Sequence, residues 1–228
     1  MLTHCLALVL LAQTPEIQRE KRQIEGWTIQ INTKLIEQDK PLLENGIKLL
    51  TEQLQKVKRL VPKPAVTKLQ RVTIWFSPEY PGVRPTAEYH PGAQWLKENG
   101  RDPVMAKGVE VTDLRILDKE IKRMPVLFLH ELAHSYHDQV LGFNNPEIEA
   151  AYQHAKAGGK YDSVKRWLGT KFADKPERAY AMTNAQEYFA EGSEAYFDQN
   201  DFFPFNQDEL KETDPGLSKI LEQVWSRK

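Results

Sequence analysis

Apolar positions along this chain change period several times, and each change predicts an element. Trp27-Thr28-Ile29-Gln30-Ile31-Asn32 alternates and predicts a strand. Residues 40–61 carry Leu43, Ile47, Leu50, Leu54, Val57 and Val61 at three-to-four spacing with Lys and Glu between them. That is a long amphipathic helix, stopped by Pro62-Lys63-Pro64. Arg71–Phe76 and Gly108–Thr112 predict two further strands. Between them, residues 77–106 are rich in Pro, Gly and Asn and read as a long loop with a helical piece near Ala93–Asn99. Charged residues 16–26 read as an exposed lead-in. A buried helix is expected over about 125–141, with Pro125 in its first turn and Leu141-Gly142 as its stop. Helices follow at about 146–157, 161–169, 184–199, 207–212 and 215–226. The order predicts an α+β fold. A small N-terminal sheet lobe with helices spans about 24–141, and a helical C-terminal lobe about 142–228, in a single domain over 16–228.

The buried helix carries the chemistry. His130-Glu131-Leu132-Ala133-His134 spells H-E-x-x-H. Four residues turn a helix by about 400°, so the two imidazoles face the same way and can share one Zn²⁺. Glu131 between them is placed to act as the general base. Leu127, Phe128, Leu129, Leu132 and Ala133 make the flanks apolar. A catalytic zinc needs a third protein ligand. The spacing H-E-x-x-H-x-x-G-x-x-H is excluded, because His137 stands at the glycine position and Val140 at the last histidine. Glu187 and Glu191, four apart in the apolar segment Asn184–Phe197, are the remaining candidates. For Glu187 a second reading stays open. Asn184 as N-cap places Glu187 at the third helical position, where its carboxylate can cap the backbone.

Tyr180-x-x-Thr183-Asn184-x-x-Glu187-Tyr188-Phe189-Ala190-Glu191 after the H-E-x-x-H helix resembles the gluzincin metallopeptidase family typified by the catalytic domain of anthrax lethal factor. The resemblance covers residues 126–140 and 180–197. It implies a zincin-like fold with zinc held by His130, His134 and Glu187, and Glu131 as general base. It implies that Glu191 supports a zinc histidine and that the Tyr180 hydroxyl faces the developing oxyanion. The activity implied is zinc-dependent hydrolysis of peptide bonds in peptide or protein substrates. The alternative is a zinc-binding interaction or scaffold protein with little turnover. An extended substrate is expected to add to an edge strand, with 108–112 as the candidate.

Composition changes this picture little. The chain has 228 residues and a net charge of −1, so no field favours nucleic acid. Cys5 is the single cysteine, which excludes an intramolecular disulfide. The apolar run Cys5–Ala12, followed by Gln13-Thr14-Pro15, reads as a short export signal over 1–15. A secreted or periplasmic protein is then expected, with a cytoplasmic one as the alternative. No other apolar run approaches membrane-spanning length, so no stable membrane insertion is expected. Other residues have plainer readings. His137 is expected to be a satisfied histidine of the helix core or a partner of Asp138, rather than a ligand. His90 and His154 are expected at the surface. Tyr89, Trp95, Tyr136 and Tyr188 are expected in the core, and Phe202–Phe205 packing the C-terminal lobe.

Overall fold

The computed structural model describes residues 17–226. The 1–15 segment read as a signal lies outside the described residues. The fold is mixed α+β, built on one five-stranded sheet of order β1-β2-β3-β5-β4. Its strands are β1 (Arg19–Ile24), β2 (Trp27–Asn32), β3 (Ile74–Phe76), β4 (Ala87–Tyr89) and β5 (Val109–Val111). β1 and β4 pair antiparallel with their neighbours, whereas β2, β3 and β5 run parallel. β2 buries Trp27, Ile29 and Ile31 and leaves the alternate residues half-exposed, as a one-sided strand must. Every residue of β3 and β5 is buried.

Between β2 and β3 the chain forms α1 (Thr33–Gln38), α2 (Lys40–Leu60) and α3 (Lys63–Leu69). The Asp39 side chain caps α2 by accepting from the Leu42 N–H. Leu43, Leu50, Leu54 and Val57 form its buried stripe. Next come α4 (Ala93–Glu98), α5 (Leu117–Arg123) and α6 (Leu127–Tyr136). All ten residues of α6 are buried. A π turn, His137–Leu141, follows it, and Gly142 ends the run at φ +81, a conformation that favours glycine. The C-terminal half holds α7 (Pro146–Gly158), α8 (Ala185–Phe197), α9 (Gln207–Thr213) and α10 (Pro215–Trp225). α8 packs along α6, and Tyr136, Phe189 and Trp225 stack where α6, α8 and α10 meet. Among the described residues, no helix is long and apolar enough to cross a membrane.

Several expectations need correcting. The lead-in at 16–26 is largely strand β1, joined to β2 by Glu25-Gly26, both at positive φ as a type I′ hairpin turn requires. The loop at 77–106 contains β4. The strand expected at 108–112 exists as β5, but it pairs with β3 on one side and with β4 on the other. It is interior, and β4 is the edge. Residues 161–169 are not helical. Val164 bridges to Glu177 through two backbone hydrogen bonds, and Trp167 bridges to Phe172.

Candidate metal centre

α6 and α8 bring three donors to one point. His130 Nε2 and His134 Nε2 lie 3.1 Å apart. Glu187 Oε2 lies 3.3 Å from the first and 3.2 Å from the second. Tetrahedral ligands about 2.0–2.1 Å from zinc are about 3.3 Å from each other, so the triangle has the right edge. The donor set, two imidazoles and a carboxylate, suits the same ion. Glu187 Oε2 is buried and accepts no hydrogen bond. Such an oxygen calls for a cation. His130, His134 and Glu187 thus fit a zinc ion by number, type and spacing.

Both sequence readings of Glu187 are visible. Asn184 does cap α8, its Oδ1 accepting from the Glu187 N–H at 2.8 Å. The Glu187 carboxylate, however, turns to the two histidines rather than back to the helix start. Burial pushes its pKa up, but the imidazoles of His130 and His134 pull it below the usual carboxylate range. For His130, burial opposes charge, yet its contacts with Glu187 and Glu194 hold the imidazole well above its ordinary pKa. The site demands positive charge, whether a proton or a metal supplies it.

The carboxylate on the far side of His130 is Glu194, whose Oε1 lies 2.7 Å from Nδ1. That contact fixes the tautomer with Nδ1 protonated and Nε2 free to ligate. Glu191, singled out from the family resemblance, sits beside this pair without a hydrogen bond to His130. Burial raises the Glu191 pKa well above normal, with the charges of Glu194 and Asp201 adding to it. Burial also takes Glu194 up to about 7, against the pull of His130. Sequence reasoning missed Glu194. The signal was present, since Glu187, Glu191 and Glu194 follow at helical spacing on one stripe of α8.

Glu131 is held from the sheet. Its Oε2 accepts the Tyr89 N–H from edge strand β4 at 2.8 Å. Burial raises its pKa, and His130 and His134 temper the rise. Tyr180 stands just before α8 with its ring about half exposed, and its hydroxyl is 3.4 Å from Glu187 Oε1. Burial of that hydroxyl and the charge of Glu187 push its pKa to about 12, so it remains a donor at neutral pH. These groups open onto a cleft of about 760 Å³ between β4 and α5 on one side and the C-terminal half on the other.

Other residues depart from their plainer readings. His90 is buried, not at the surface. Its Nε2 lies 2.8 Å from Glu110 Oε2, and Tyr80 donates to Glu110 Oε1 at 2.8 Å. Glu88, His90 and Glu110 form a second potential ligand cluster, but Arg101 already supplies its cation by pairing with Glu88 and Glu110. Trp95, expected in the core, is 43% exposed and lines the cleft. His137 is fully buried, yet neither ring nitrogen has a hydrogen-bond partner. It packs between Phe143 and Phe189, so it is a core residue but not a satisfied one. His154 is exposed, and Tyr89, Tyr136 and Tyr188 are buried. Phe202 is buried, and Phe203 and Phe205 pack edge to face.

No known family model, curated protein or solved structure matches this chain.

Proposed function

We propose that this chain is a zincin-like zinc metallopeptidase of the gluzincin type, hydrolysing peptide bonds in a peptide or protein substrate. One observation carries the reading. Two imidazole nitrogens and a buried carboxylate oxygen with no hydrogen bond form a triangle of 3.1–3.3 Å beside a glutamate at the mouth of a cleft. His130, His134 and Glu187 would hold the metal. When bound, zinc supplies Lewis acidity and brings the pKa of water towards about 7.

The chain's own residues do the rest. Edge strand β4 offers backbone groups to an extended peptide. The Tyr89 N–H fixes Glu131 through Oε2 and leaves Oε1 to accept a proton from the attacking water. The raised pKa of Glu131 keeps that proton available for the leaving amine nitrogen as the C–N bond breaks. The Tyr180 hydroxyl donates to the carbonyl oxygen as it gains charge. Glu194 holds the His130 ring through Nδ1.

The test has two stages. Zinc per chain is measured after loading and desalting, for the wild type and for His130→Ala. One zinc in the first and none in the second is expected. A random peptide pool is then digested, with Glu131→Gln as control. Gln keeps the oxygen that accepts the Tyr89 N–H, so zinc content should persist while turnover drops by at least about 10²–10⁴-fold. A wild type that takes up no zinc would sink the reading. So would equal turnover in Glu131→Gln.

A further inference from the structure

The charges along the cleft are matched with two exceptions. Arg101 pairs with Glu88 and Glu110. Arg123 pairs with Glu120 and Asp201, both at 2.6 Å. Arg166 pairs with Glu177 and Asp201. The acids are equally engaged, since Glu131 holds the Tyr89 N–H and Glu187 faces the histidines. Glu191 is buried beside Glu194 and His130. Among the described residues lining the cleft, Arg84 and Lys119 are the cations without an acidic partner, and both are exposed.

The two lie at the same end. Arg84 stands three residues before β4, and Lys119 lies on α5, eight residues after β5. β4 and β5 are antiparallel, with Ala87 opposite Val111, so the chain enters β4 where it leaves β5. Thr86 and Thr112 tie that end together, the Thr112 N–H donating to the Thr86 carbonyl at 3.0 Å. Glu131 is held at the Tyr89 end of β4 and Arg84 precedes its Ala87 end, so a peptide laid along β4 meets Arg84 on one side of the metal centre, with Lys119 lining the same cleft.

We infer that the cleft selects peptides bearing an acidic side chain on one side of the scissile bond, bound by Arg84 and Lys119. This substrate class rests on the peptidase reading above. Two partly solvated ion contacts give a preference of about tenfold, which salt should erode.

Binding and cleavage are read separately. Three fluorescein-labelled random peptide pools are made, differing only in whether Glu, Gln or Lys occupies the variable charged position. Their affinity for the zinc-loaded full chain carrying Glu131→Gln is measured by fluorescence anisotropy at low and high salt. Wild-type cut sites in the same pools are mapped by mass spectrometry. The Glu pool should bind about tenfold tighter than the Gln pool and the Lys pool weakest, with the gap narrowing in salt. Acids should cluster on one side of the cut bond. Adding Arg84→Glu and Lys119→Glu should invert the ranking, whereas Arg84→Lys and Lys119→Arg should restore it. Melting temperatures show that each variant is folded. Equal affinity for the three pools, or a ranking unmoved by the charge reversals, overturns the inference. Acid-selective binding without any cleavage keeps the selectivity of Arg84 and Lys119 for acidic peptides and sinks the peptidase reading. Cleavage without acid selectivity does the reverse. Neither binding nor cleavage sinks both.

Discussion

At the scale of single residues, the division of labour between Glu191 and Glu194 is open to direct measurement. Glu194 touches His130 Nδ1, and Glu191 does not. Glu194→Gln should therefore weaken zinc binding about 10–100-fold, the usual effect of losing a carboxylate that orients a metal histidine. Glu191→Gln should change it little, because Glu191 makes no hydrogen bond to either zinc histidine. Competition against a chelator of known affinity reads both. The opposite order would restore to Glu191 the role that the family resemblance implies. His137 poses a different problem. Burial lowers its pKa to about 4, below the value of about 6.5 expected in the unfolded chain. Between those values the unfolded state binds the proton and the folded state does not, so stability is complete above about 6.5 and falls as the pH drops towards 4. A shift of this size corresponds to about 3 kcal/mol. In chelator, urea unfolding at pH 7 and pH 4.5 should show a distinctly smaller loss for His137→Leu than for the wild type. Equal losses would mean that His137 is charged or solvated in the native state.

At the scale of elements, legibility followed burial. α2 was readable almost to the residue because one stripe is buried and the other solvated, and Asp39 and Val61 mark its ends. α6 was readable because two polar chemistries interrupt an apolar run. The strands it escaped are the two edges. β1 carries Arg19, Glu20, Lys21 and Arg22, which protect an exposed edge but erase the apolar alternation that marks a strand. β4 has three residues, too few for any period, and owes its existence to pairing with β5. That pairing is the long-range fact that made β4 the edge beside Glu131 and put 108–112 inside the sheet. Residues 161–169 misled for a related reason, since their bridges go to Glu177, Phe172 and Phe202, downstream in the chain. At the site, the residues brought together by local helix spacing were legible. Glu194 was overlooked on its own stripe. The burial of His90 against Glu110 and the exposure of Trp95 depend on tertiary neighbours that no local pattern carries.

At the scale of the whole molecule, the three donors join its two halves. His130 and His134 stand on α6, which packs against edge strand β4, and Glu187 stands on α8 in the C-terminal half. The halves also meet through protein contacts alone. Lys56 pairs with Asp198 at 2.5 Å, Arg123 pairs with Asp201 at 2.6 Å, and the Tyr136 hydroxyl donates to the Val224 carbonyl at 3.0 Å. The fold should therefore survive metal removal, but at lower stability, because an ion that binds only the native chain shifts the equilibrium towards it. Free zinc at a hundred times its dissociation constant contributes about 2.7 kcal/mol. For a chain of this size that amounts to a melting temperature higher by roughly 5–10 °C. Calorimetry of the wild type with zinc and with chelator should show that difference. His134→Ala should melt at one temperature in both conditions, close to the chelated wild type. If chelation leaves the wild-type melting point unmoved while zinc is shown to be bound, the ion binds the unfolded chain as well as the folded one, and a preformed triangle of His130, His134 and Glu187 is not what holds it.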